Sequence, residues 1–252
     1  MDMKHPKFET CNFCGASAKL ENIAEHKLKL HNKDGSLTVG DFSKEEFDAL
    51  YDKAAQLAVT GKLDKSIELF NLGVAVDKRN EGAWNDFGMA LSHSGKLDAA
   101  LKAYDTALEI APDSAKAWYN KGNLLAIKMK RYADALECYD NALKYNPELM
   151  LAWYNKGVMH TKAGENEKAM ECFDHAISLN DKYFMAWFAK GQILESKGEA
   201  EEAEKCFAKA YRLNPSYTKE AFRALAEDEK DFYYDSGMKE KAKKDSSQKE
   251  LK

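Results

Sequence analysis

Between residues 81 and 217 the apolar side chains recur at helical spacing, and the spacing itself repeats. Each stretch opens with a large ring followed four residues later by glycine: Trp84 and Gly88, Trp118 and Gly122, Trp153 and Gly157, Trp187 and Gly191. Four residues is one helical turn, so ring and glycine share a face and leave a gap beside a knob. A second apolar stripe at i, i+4, i+7 follows in each stretch: Ala100, Tyr104 and Ala107; Ala135, Tyr139 and Ala142; Ala169, Phe173 and Ala176; Ala203, Phe207 and Ala210. That pattern predicts a second amphipathic helix. Pro112, Pro147 and Pro215 end it, and Asp181 stands at the corresponding place in the fourth stretch, since proline disfavours helix in the residue before it and donates no backbone bond. Ser94-Gly95, Ala163-Gly164 and Lys197-Gly198 mark the turn between the two helices, with glycine suited to a left-handed C-cap. The third stretch has Lys130-Arg131 and one inserted residue instead, which predicts a different turn there. Ser43 with Glu46 forms a capping-box signature ahead of the first helix.

The tryptophans lie 34, 35 and 34 residues apart. Trp, Gly, Ala, aromatic, Ala and Pro at this period resemble the tetratricopeptide repeat, a helix-turn-helix unit. The resemblance divides the chain into units at 47–80, 81–114, 115–149, 150–183 and 184–217. In the first, Leu50, Ala54 and Gly73 replace the expected Trp, Gly and Ala, as terminal repeats often do. The implied fold is all-α, a right-handed superhelical solenoid of five repeats with a cap helix over 218–235 and a disordered polar tail over 236–252. In the family the concave wall is lined by residues just after the tryptophan phase. Here those are Asn85, Asp86, Tyr119, Asn120, Asn123, Tyr154, Asn155, Phe188 and Gln192. Asparagine both donates and accepts, and tyrosine adds contact area at low rotamer entropy, so the wall suits an extended peptide or a helix. Some family members clamp a C-terminal carboxylate with Lys and Arg among asparagines; Lys116, Asn123 and Asn155 stand in suitable phases, without an arginine.

Residues 1–35 form a second region, joined through residues 36–46, which serve as linker and helix start. Cys11 and Cys14 are separated by two residues; His26 follows after eleven more, and four residues separate it from His31. Two thiolates and two imidazoles are the donor set of a closed tetrahedral Zn2+ site, and a segment this short needs such a staple to fold. The segment resembles a Cys2His2 zinc finger, with a gap one residue short of the common twelve and no aromatic inside it. As a DNA reader it would turn Lys19, Asn22 and Glu25 to the bases, yet residues 1–35 carry six Lys against five acidic side chains, a poor match to a phosphate backbone.

Charge and chemistry narrow the function further. The formal net charge is −4 with 32% charged residues, so no basic footprint for nucleic acid appears. The stretch MDMKHPKFETC has no apolar h-region, and no run approaches a membrane span. Cys138, Cys172 and Cys206 recur one per repeat and read as small core residues, with Ala103 in the same phase. His93, His160 and His175 occupy different phases, and no phosphate loop, HExxH or GxSxG motif occurs. The expectation is a cytoplasmic, non-catalytic adaptor that binds a protein or peptide in its groove and uses the tethered zinc knuckle as a second contact. The alternatives are a nucleic-acid-associated factor targeted by the finger and a homotypic assembly.

Overall fold

A capping box sets the first repeat helix: Ser43 Oγ accepts from the Glu46 N–H at 3.1 Å, and the Glu46 carboxylate accepts from the Ser43 N–H at 3.0 Å. The computed structural model describes residues 8–11, 17–32 and 37–215. Cys14, the expected cap helix and the expected polar tail lie outside the described residues. The chain divides into two compact units, 1–112 and 113–252.

In the first unit, β1 (Phe8–Thr10) pairs antiparallel with β2 (Ser17–Lys19), and α1 (Leu20–His31) follows directly. The short ladder adds to the helical expectation. A 3-10 turn, Val39–Asp41, then leads into α2 (Lys44–Val59) and α3 (Leu63–Val76), followed by α4 (Glu81–His93) and α5 (Leu97–Ile110). The pairs α2/α3 and α4/α5 are the first two repeats. Asn80 caps α4 by accepting from the Ala83 N–H at 3.0 Å.

The second unit holds three helix pairs: α6 (Ala115–Asn123) with α7 (Tyr132–Tyr145), α8 (Met150–Lys162) with α9 (Asn166–Leu179), and α10 (Phe184–Ser196) with α11 (Ala200–Leu213). Helix α6 runs on as one π-helical turn over Leu124–Lys128. The inserted residue is absorbed there, and Lys130 takes φ 57° where the other turns use Gly61, Gly95, Gly164 and Gly198 at φ 74–81°. The different third turn expected from Lys130-Arg131 is thus what the backbone shows.

Within each pair the periodic glycine is a socket for the aromatic of the second helix. A Cβ placed on Gly88, Gly122, Gly157 or Gly191 would come within 2.8 Å of the ring of Tyr104, Tyr139, Phe173 or Phe207, closer than carbon atoms pack. These rings are buried, as are the alanines that flank them. The first repeat reverses the arrangement. Its first helix carries Tyr51, whose ring lies over Gly73 on the second helix, where an added Cβ would meet Cε1 at 2.5 Å. Burial raises the Tyr51 phenol well above its ordinary range, and Asp77, which accepts from the hydroxyl at 3.4 Å, adds to the effect.

The tryptophans do a second job. Each indole N–H of Trp84, Trp153 and Trp187 donates to a carbonyl six residues upstream, Lys78, Pro147 and Asp181 respectively, at 2.9–3.0 Å. The bond ties the loop that enters the helix to the helix face. Indole can only donate, so a carbonyl freed by the preceding turn is its natural partner.

Candidate metal centre and partner-binding face

Helix α1 carries His26 and His31, with ring centroids 5.5 Å apart. Cys11 leaves β1 and is buried, with 1% of its surface exposed. One ligand atom from each of Cys11, His26 and His31 lies within 4.8 Å of the other two. A soft thiolate and two imidazoles converging at this distance fit a small, thiophilic divalent ion such as Zn2+, after modest contraction to bonding distance. Cys14, the fourth ligand expected from the sequence, lies outside the described residues. Ile23, Ala24 and Leu28 on α1 are buried.

The same helix packs on α2 and α3 of the first repeat. Lys27 is buried and its Nζ reaches the Glu46 carboxylate at 2.8 Å and 2.9 Å, donates to the Asp41 carbonyl at 3.0 Å, and sits 5.4 Å from the centroid of the Phe42 ring. Two turns further along α2, Lys53 donates to Asn22 Oδ1 and Glu25 Oε2, both at 2.6 Å. Lys29 bridges Glu25 and Glu68 of α3 at 2.9 Å and 2.8 Å. Two of the three residues that a DNA-reading finger would turn to base edges, Asn22 and Glu25, are therefore engaged by the repeat; Lys19 is exposed. The knuckle helix lies against the array where the sequence suggested a tethered module. The partners are 14 to 39 residues apart along the chain, a separation that motif spacing does not report.

The expected groove residues fall into two groups. Exposed or half-buried are Asp86, Lys116, Tyr119, Asn120 and Gln192. Buried are Asn85, Asn123, Tyr154, Asn155 and Phe188. Asn85 is fully enclosed and donates to Asp86 Oδ1 at 2.9 Å, so it braces its own helix. Phe188 belongs to the core cluster around Phe207 and Ala210, and Tyr154 meets Tyr183 edge-on at 5.1 Å. In the second unit, Asn123 and Asn155 join adjacent first helices: Asn155 Nδ2 donates to Asn123 Oδ1 at 2.8 Å and to the Tyr119 hydroxyl at 3.3 Å, while the Tyr139 hydroxyl donates to Asn123 Oδ1 at 2.8 Å. The Asn123 NH2 takes no part in this network. The result is a polar node in an apolar wall, flanked by α6 residues Lys116 and Asn120.

Sequence reasoning missed a second inter-repeat link. Lys156 of α8 pairs with Asp140 of α7, and Lys190 of α10 pairs with Asp174 of α9, each at 2.6 Å. Their signal was present: lysine immediately precedes the periodic glycine, and aspartate immediately follows the second-helix aromatic. The recurring cysteines lie beneath. Cys138, Cys172 and Cys206 are buried, and burial pushes the Cys172 thiol up to about 11, with Lys156 opposing the shift. Cys206 is raised for the same first reason. Thiols held protonated in apolar surroundings are inert core residues.

Comparison with known proteins bears on the helical units. Residues 88–126 match a TPR repeat model, and residues 124–183 and 184–217 match tetratricopeptide-repeat models. Residues 88–217 are a tetratricopeptide-repeat array. The array resembles solved structures of MamA, one with TM-score 0.59 and 23% identity over 65% of this chain and 95% of that one. MamA 41-end from Desulfovibrio magneticus RS-1 aligns with TM-score 0.60 and 21% identity over 69% and 97%. YrrB, described as a TPR protein with an unusual peptide-binding site, aligns with TM-score 0.56 and 18% identity over 71% and 91%. At these identities the likeness establishes the fold. No curated protein sequence matches the chain. Among the described residues no helix is long and apolar enough to cross a membrane.

Proposed function

We propose that this chain is a non-catalytic, cytoplasmic adaptor whose tetratricopeptide repeats hold a peptide or helix of a partner protein. The carrying observation is the node of Asn123, Asn155, Tyr119 and Tyr139, with Lys116 and Asn120 on the same helix as Asn123 and Tyr119. Fixed by its internal bonds, this face meets a ligand with little rotamer entropy left to lose. The Asn120 amide and the Lys116 ammonium suit the carbonyls and carboxylates of an extended segment. The likeness to YrrB, whose description names a peptide-binding site, supports the same class of ligand.

Zn2+ is the ion we assign to Cys11, His26 and His31, with Cys14 as fourth ligand by its Cys-x-x-Cys spacing. Its role is structural, since a closed four-ligand site leaves no open position for chemistry. A nucleic-acid role is disfavoured by Lys53, which occupies Asn22 and Glu25.

The test is affinity capture from a lysate of the source organism, run with and without nuclease treatment. The intact chain is compared with a Lys116→Ala, Asn120→Ala, Gln192→Ala variant, all three sites lying at the surface. Proteins retained by the intact chain and lost with the variant support the adaptor reading. Recovery that ignores the variant and disappears with nuclease treatment overturns it. Scattering mass measurement of the purified chain separates a third outcome, in which self-association fills the same face.

A further inference from the structure

The metal ligands and the contacts to the first repeat sit on one short helix. His26 and His31 belong to the metal cluster; Asn22, Glu25, Lys27 and Lys29 bind α2, α3 or the turn before them. A helix of 12 residues is marginal on its own. Its order therefore depends on what it packs against, and α2 and α3 cover one side of it. The receiving face of α2 presents Glu46 and Lys53 seven residues apart, with Leu50 and Ala54 on the same face fully buried. Terminal repeats of a stacked array have one uncovered face and need a cap, and the first repeat here lacks the Trp and Gly of its neighbours.

We propose that the metal centre controls an N-terminal cap: metal held by Cys11, His26 and His31 orders α1, ordered α1 closes over α2 and α3, and the stability of the first repeat thereby follows metal occupancy. The inference rests on the zinc reading above. The charged contacts fix one docking geometry, because Lys27 and Glu46 lose most of their hydration on docking and are satisfied by each other, the Asp41 carbonyl and the Ser43 N–H. A ligand that binds the docked state alone stabilises it by mass action, and structural zinc sites convert binding free energy into folding free energy. By reciprocity, whatever weakens the docking weakens metal binding by the same factor.

The experiment uses the full chain, with zinc and cobalt(II) as probes. Cobalt absorption reports whether a tetrahedral thiolate site forms. Hydrogen exchange followed by mass spectrometry reports α2, with α10 and α11 as the internal reference. With zinc at a hundredfold over its Kd, exchange of the slow α2 amides is expected to fall by about 100-fold against the metal-free chain, while the reference is unchanged. A Lys27→Met, Glu46→Gln variant removes both buried charges and keeps an acceptor for the Ser43 N–H. It should keep the cobalt spectrum, lose much of the zinc-dependent protection, and lose zinc affinity by a matching factor. Lys53→Met, at the half-buried end of the contact, supplies a milder series expected to move both quantities in the same direction. A chain that binds one equivalent of metal with α2 exchange unaltered overturns the inference and leaves the zinc reading standing. A chain that forms no tetrahedral site overturns both.

Discussion

Replacing Gly157 by alanine opposes two effects of known size. Alanine is the better helix former by about 1 kcal/mol. Against this, its Cβ would lie 2.7 Å from Phe173 Cε1, 2.9 Å from Cδ1 and 3.1 Å from Cys172 Cβ. Phe173 is 1% exposed, so its ring cannot swing into solvent, and overpacking of this kind costs about 1–3 kcal/mol. The clash should prevail, with a net loss of up to about 2 kcal/mol by the difference of these two figures. Phe173→Val ends the side chain at its γ carbons and removes the clashing atoms. In that background Gly157→Ala should become stabilising by up to about 1 kcal/mol. The assay is the urea midpoint of all four proteins by circular dichroism, with hydrogen exchange in α8 and α9 to localise the change, because repeat arrays need not unfold in one step. The coupling expected between neighbours is about 1–3 kcal/mol. Equal effects of Gly157→Ala in both backgrounds would refute the socket argument.

Asn123→Leu deprives the Tyr139 hydroxyl and the Asn155 amide of their shared acceptor and should cost about 1–3 kcal/mol, part of it recovered by adding Tyr139→Phe, as measured by urea denaturation. Lys130→Gly should stabilise the third repeat by about 1 kcal/mol, since lysine at φ 57° is in the left-handed region; a lowered midpoint would contradict this. Cys172 keeps its proton in the fold up to about pH 11, whereas an unfolded thiol loses it near 9. Between those values the native state binds more protons, so stability falls as pH rises, by about 1.4 kcal/mol for each pH unit separating them. Cys172→Ala, with the side chain that Ala103 supplies in the second repeat, should flatten that part of the stability profile, and an unchanged alkaline profile would argue against a protonated buried thiol.

The array was legible because its determinants are local and repeated. Trp153 and Gly157 lie one turn apart, and Ala169, Phe173 and Ala176 mark one helix face, so four copies of each pattern agree in phase. Cys11, His26 and His31 were legible through ligand chemistry and spacing. The reversed socket at Tyr51 and Gly73 was not, because tyrosine on a first helix and glycine on a second are individually unremarkable and acquire meaning only when the two helices face each other. The inward turn of Asn123 and Asn155 was also hidden. An asparagine after a periodic tryptophan reads as a groove residue until the neighbouring repeat supplies Tyr139 and Tyr119 as partners. The same applies to α1, whose exposed-looking Glu25, Lys27 and Lys29 find their counterparts on α2 and α3.

The indole bonds have a practical consequence for spectroscopy. Trp84, Trp153 and Trp187 are held by the same donor to the same kind of loop carbonyl, and the chain has no tryptophan before residue 84. Emission from this protein therefore samples the second to fifth repeats and is dark to the first repeat and to the Cys11, His26 and His31 cluster. A fluorescence melt would register the loss of the array's body while the amino-terminal end opened unseen. Single-tryptophan variants would turn the four tryptophans into separate optical markers along the chain, and a Tyr51→Trp substitution would place a fifth in the first repeat.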